Sequence, residues 1–162
     1  MQLALRMDAP TNATLPQLIS CFAIKARLVS HYCHGGIVID GRLYHATSAR
    51  GLHVLDANKW SPTKWVLVDI GTERDTQALE LFQRFEGADY DWFSLLAFVG
   101  LPIRDQNRFY CFEWCWLAMT GEHPTARVTP EQLLLLSKTG IKGYEEFTRL
   151  SCGLPVVASM AD

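Results

Sequence analysis

The dipeptide Asp40-Gly41, set between His34–Ile39 and Arg42–Ala46, is the feature that most constrains this chain. A two-residue loop of this composition takes a type I′ turn, which needs positive φ at both central positions. It predicts an antiparallel hairpin of fixed register, with Ile39 opposite Arg42, Ile37 opposite Tyr44, Gly36 opposite His45 and His34 opposite Thr47. Side chains alternate across a sheet, so His34, Gly36 and Val38 share a face with Leu43, His45 and Thr47. His34 and His45 become diagonal neighbours within reach of one another. Gly35 and Gly36 leave space beside them. Two imidazoles on one face next to missing side chains predict a site.

The rest of the chain reads as mixed helix and strand. Met1–Ala13 reads as a loose lead-in, broken by Asp8, Pro10, Thr11 and Asn12. Thr14 offers an N-cap and Pro16 a first-turn proline for a helix over Leu15–Ala26, with Leu15, Leu18, Ile19, Phe22 and Ala26 on its apolar stripe. Thr47–Lys64 is loop-like, with a short strand at Leu52–Leu55. Trp65–Ile70 is a strand. Thr72–Phe85 is an amphipathic helix bearing Ala78, Leu81, Phe82 and Phe85. A more apolar helix is expected over Asp91–Val99, then a loop over Leu101–Asn107. Phe112–Thr120 is apolar nearly all round, which predicts a buried helix, stopped by Gly121. Thr129, Pro130, Glu131 and Gln132 start another helix, running to about Lys138.

Cys111 precedes the buried helix. Unpaired N–H groups and the macrodipole at a helix start favour a thiolate, and such positions can bring a thiol pKa down to roughly 3.5–7.5. The residues therefore support Cys111 as nucleophile, His34 as base and then acid, and His45 as the group orienting His34, with helix N–H groups holding an oxyanion. Cys115, one turn along, reads as core. The five tryptophans read as core or groove lining, and His31 and His53 as loop residues. His31, Cys33, His34, Cys111 and Cys115 offer zinc-ligand types, but H-x-C-H is not a usual spacing and no C-x-x-C pair exists. No metal or cofactor is expected. No phosphate loop, G-x-S-x-G elbow or H-E-x-x-H is present.

HGGIVIDGRLYHATSARGL resembles the histidine hairpin of the NlpC/P60 papain-like cysteine hydrolases. In the ordinary family the cysteine precedes that hairpin; here Cys111 follows it. That order is similar to the circularly permuted branch, the YiiX-like and lecithin retinol acyltransferase-like proteins. Gly87–Trp92 (GADYDW) and Asn107–Met119 (NRFYCFEWCWLAM) are similar to that branch's G-x-x-Y-D and F-C-S-E elements. The resemblance covers about Leu18 to Ser137. It implies one α+β domain over residues 1–162, of permuted papain-like fold, with an antiparallel sheet on the cysteine helix. Cys111, His34 and His45 match the catalytic set, and Tyr90 matches a tyrosine beside the cysteine that either polarises the carbonyl or packs. Glu113 matches the C-x-E position, with Arg108 or Arg104 as a partner. Phe112 stands where the family usually has Ser, a departure that bears on specificity.

The implied activity is hydrolysis of an amide or peptide bond through a thioester, with cell-wall peptides as the substrate class and a lysis or wall-penetration role in a phage as one setting. The alternatives are a lipid acyltransferase or thioesterase on the same fold, and a non-catalytic structural or binding module. Hydrophobic residues make up 49% of the chain and charged residues 20%, which excludes a disordered polymer. A formal net charge of -2 argues against a nucleic-acid partner. No apolar run approaches a membrane span and no secretory signal stands out, so a cytoplasmic or virion-associated protein is expected. In that setting five cysteines predict buried thiols, not disulfides.

Overall fold

The hairpin forms as its turn chemistry dictates. Asp40 and Gly41 take φ of 49° and 73°, and Ile37–Tyr44, Val38–Leu43 and Ile39–Arg42 are the cross-strand partners. The structure, a computed structural model, describes residues 1–9, 13–91 and 108–151. The helix expected over Asp91–Val99 lies, beyond Asp91, outside the described residues, as do the loop 101–107, Trp92, Arg104 and Cys152.

The architecture is α+β. Strands β1 (Gln2–Arg6), β2 (His34–Ile39), β3 (Arg42–Thr47), β4 (Gly51–Leu55) and β5 (Val66–Asp69) form one antiparallel sheet in the order β4-β3-β2-β1-β5. Four helices are described: α1 (Leu15–Leu28), α2 (Asp75–Phe85), α3 (Cys111–Thr120) and α4 (Pro130–Ser151), the last broken by non-helical backbone at Gly140.

The expected loose lead-in is corrected over its first residues. Gln2–Arg6 is an inner strand, paired with β2 on one side and β5 on the other. Leu3, Ala4 and Leu5 are all sealed from solvent. Both faces of an inner strand are covered, so the segment shows no alternation and is too short to announce itself by pattern.

The sheet separates two environments. Leu3, Leu5, Ile37, Ile39, Tyr44, Ala46 and Leu52 join the main core with α2, α3 and α4. Ala4, Val38 and Leu43 point the other way and are covered by Leu55, Trp60, Trp65 and Leu67. Gly35 shows why α3 can approach β2 so closely: a Cβ there would lie 2.8 Å from the Phe112 ring and 3.3 Å from the Cys115 sulfur. Trp114 is sealed beside it and donates its Nε1–H to the Tyr44 carbonyl at 3.0 Å. Gly121, at φ 82°, ends α3 in the left-handed conformation.

Helix α1 also departs from expectation. The Thr14 N–H donates to Gln17 Oε1 at 2.9 Å, one half of a capping box. Its apolar stripe, however, faces outward: Leu15, Leu18, Ile19 and Phe22 are exposed, while Ile24 and Leu28 are buried. Periodicity identifies an apolar face, but it does not say whether anything lies over it. Among the described residues, no helix is long and apolar enough to cross a membrane.

Candidate active site

His34 opens β2 on the face away from α3. Its Nε2 and His45 Nδ1 are 2.8 Å apart, so one ring donates to the other. The pairing follows from the hairpin: Gly36 is the residue between them, and a Cβ on it would lie 3.1 Å from His45 Cβ. Trp65 lies beside His34 with ring centroids 5.6 Å apart. Burial, then the charges of Arg6 and His53, push the His34 pKa down to about 4. His45 is buried and is held well below the usual imidazole range, first by burial and then by His34, His53 and Arg50. Both rings are therefore neutral at pH 7.

His53 was expected in a loop. It lies on β4 as the register partner of His45, with ring centroids 4.4 Å apart. The signal available in the sequence was the short strand Leu52–Leu55: paired back on β3, it brings His53 against His45.

Tyr90 is held by backbone bonds on both sides. The Leu52 N–H donates to Ala88 O at 2.9 Å and the Gly87 N–H to Leu52 O at 2.8 Å, tying this segment to β4. Tyr90 and Phe109 form a parallel bridge, which places Tyr90 next to the start of α3. Glu113 accepts the Tyr110 N–H at 3.4 Å, capping α3. The Tyr110 hydroxyl donates to Val128 O at 2.7 Å and accepts the Val128 N–H at 2.8 Å, anchoring the residue before Cys111.

Cys111 begins α3 and is 0% exposed. Burial pushes its thiol up to about 12, although N–H groups of Gly35, Phe112 and Cys111 itself and the Tyr90 hydroxyl all favour the thiolate. The lowered pKa expected of a helix start is therefore overturned: dehydration of the sulfur outweighs the terminal N–H groups. His34 and His45 share one face, as the hairpin register requires. The sheet does pack on α3, but through Gly35, whereas His34 and His45 point to the opposite side. The thiol sits against the peptide that follows His34. Tyr90 links the two halves, because it bonds the thiol and also lines the cleft that holds His34 and His45.

That cleft has a volume of about 700 Å³. Its walls include Arg6, Asp8, Trp60 and Trp65 together with the two histidines and Tyr90. Phe112 is not among its lining residues; it is fully buried over Gly35 and fills core, not cleft. Trp60 donates its Nε1–H to Gly41 O at 2.9 Å and meets Trp65 edge-on.

Cys21 and Cys33 are joined in a disulfide, contrary to the expectation of free thiols. The expectation rested on compartment, whereas the pairing is geometric: α1 runs back over the start of β2 and brings the two Cα atoms to 4.9 Å. The bond ties α1 to the residue before His34 and lines the same cleft. It removes Cys33 from the candidate zinc ligands. Among the described residues, no group of three or more His, Cys, Asp or Glu side chains is arranged to hold a metal ion. Compared with known proteins, the chain matches no family model, no curated protein and no solved structure.

Proposed function

We propose that this chain is a cysteine amide hydrolase of permuted papain-like, NlpC/P60-like fold. The observation that carries the reading is the 2.8 Å His34–His45 pair, opening on a cleft shared with Tyr90, the hydroxyl partner of Cys111. The order of elements supports it as well, with the histidine hairpin before the cysteine helix.

When His34 Nε2–H donates to His45 Nδ1, the His34 Nδ1 lone pair is left free to accept a proton. The mechanism requires the Cys111 sulfur, which lies against the Gly35 N–H in the folded chain, to come within reach of that nitrogen. His34 takes the thiol proton as sulfur attacks the substrate carbonyl. The helix-start N–H groups and the Tyr90 hydroxyl receive the oxyanion. The C–N bond breaks, and His34 returns the proton to the leaving amine. Water then attacks the thioester with His34 as base, releasing a carboxylic acid and restoring the thiol. Cell-wall peptide amides are the substrate class implied by the resemblance.

The sealed thiol favours one competing reading, a non-catalytic module. Alkylation separates the two. With a thiol pKa of about 12, ionisation alone leaves about one thiolate in 100,000 at pH 7. Rapid alkylation of Cys111 by iodoacetamide therefore needs a base at hand. Peptide mapping of folded protein should find Cys111 modified and Cys115 spared, with modification at least about tenfold slower in His34→Ala. A Cys111 that stays inert in the folded protein, or that reacts equally fast without His34, removes the hydrolase reading.

A further inference from the structure

We propose that Arg6 anchors a carboxylate-binding subsite in the cleft, so that the amide cleaved carries a free carboxylate close to its scissile bond. The substrate assignment rests on the hydrolase reading, whereas the subsite stands on its own geometry.

Arg6 ends β1 and is the register partner of His34 on β2. Directly paired residues project to the same side of a sheet, so the guanidinium belongs to the cleft face, one strand from the imidazole. It lies over the Trp65 ring at 5.7 Å from the centroid. That contact sets the cation against the face of the indole ring. Among the described residues, no hydrogen bond or ion pair occupies the guanidinium donors. Burial lowers the Arg6 pKa, with Asp8 acting in the opposite direction, so the cation has given up part of its hydration. A partly dehydrated guanidinium with unused donors, in the wall of a cleft and beside a candidate catalytic base, is arranged to receive an oxyanion.

The surroundings select which oxyanion. Asp8 lines the same cleft, and its negative charge opposes a dianion such as a phosphate monoester. Lys59 and Lys64 are also in the wall; Lys59 is bonded to Asp56 at 2.9 Å and Lys64 is engaged too, so Arg6 is the cation with donors to spare. One guanidinium facing one planar monoanion is the balanced pairing, and the bidentate fork fits a carboxylate. Trp60 and Trp65 supply apolar walls for the chain that bears it. Arg6 is therefore a specificity-determining residue: it fixes where the substrate's charged end lies relative to His34.

The test is a binding measurement on Cys111→Ala protein, where no turnover intervenes and failure of the hydrolase reading leaves the result legible. The probes are N-acetylglycylglycine, its C-terminal amide and inorganic phosphate, followed by the Arg6 Nε–H resonance and by tryptophan fluorescence. The carboxylate should bind about tenfold more tightly than the amide and move the Arg6 resonance. Arg6→Gln should erase the preference, and Arg6→Lys, a charge-retaining control for folding, should keep part of it. Equal binding of acid and amide, a preference that survives Arg6→Gln, or an Arg6 resonance unmoved by the acid overturns the subsite. Tighter binding of phosphate than of the peptide acid overturns its assignment to a carboxylate.

Discussion

Leu5 and Arg6 are consecutive residues of β1, yet Leu5 is sealed in the main core while Arg6 lines an open cleft. The same division runs through β2, where Gly35 meets Phe112 and Cys115 while His34 meets His45 and Trp65. One side of the sheet is dry, apolar and closed by helices. The other keeps imidazoles, a guanidinium and two indoles around a volume of about 700 Å³. Alternation along a strand allows one backbone to serve both ends at once: one set of side chains packs the main core and holds the sheet, while the other includes Arg6, His34 and His45 at the cleft. Cys111 is the exception, a reactive group type placed on the closed side, and Tyr90 is its link to the open one.

The sharpest way to break that division is to change the two neighbours separately. Leu5→Ala removes fully buried methyls and should cost about 2–5 kcal/mol of stability in urea unfolding. Arg6→Gln forfeits a partly exposed cation–π contact and should cost about 1 kcal/mol or less. Equal costs for the two would mean that the cleft face is as tightly built as the core, and the separation of roles would fail.

Acid probes the cleft face alone. His34 has a folded-state pKa of about 4 against an ordinary value of 6.5, and His45 is also depressed. The unfolded chain therefore binds protons first as pH falls. The stability these rings contribute is complete above about pH 6.5 and drains away as pH drops toward 4, by at most about 3 kcal/mol for His34. Thermal melts from pH 7 to pH 4 should show a falling midpoint, and His34→Gln should flatten the slope. At the other extreme the raised Cys111 pKa predicts loss of stability as pH climbs from about 9 toward 12. An acid slope unchanged by His34→Gln would mean that the ring titrates normally and is open to water.

How much of this could be read from residues alone depended on how local the cause was. The hairpin was legible to the register, because Asp40 and Gly41 determine the turn, the turn determines the pairing, and the pairing brings His34 to His45. The start of α3 at Cys111 was legible from its neighbours. Strand β1 was not, since its inner position depends on partners 28 or more residues away, as in Arg6 with His34. The Cys21–Cys33 bond was hidden for the same reason: it depends on the direction in which α1 leaves its first turn. The raised thiol pKa is not legible, because a helix terminus can be seen in a sequence, whereas the dehydration that outweighs it arises only once Tyr90, Gly35 and α3 close around the sulfur.

The smallest expected effect concerns the outward stripe of α1. Phe22 is 75% exposed, whereas Ile24, two residues on, is 5% exposed. Little of the Phe22 ring leaves water on folding, so Phe22→Ser forfeits little hydrophobic free energy, and the two residues have similar helix propensity. The change should stay within about 0.5 kcal/mol, or about 1–2 °C in Tm, while Ile24→Ala should cost about 2–5 kcal/mol. A loss at Phe22 comparable with that at Ile24 would mean that the ring is covered in solution. The stripe of Leu15, Leu18, Ile19 and Phe22 would then be a third buried surface beside the two faces of the sheet. Sedimentation of Phe22→Ser against the unchanged protein distinguishes the sources: a drop in mass assigns the cover to a second copy of the chain, and an unchanged monomer assigns it to the chain itself.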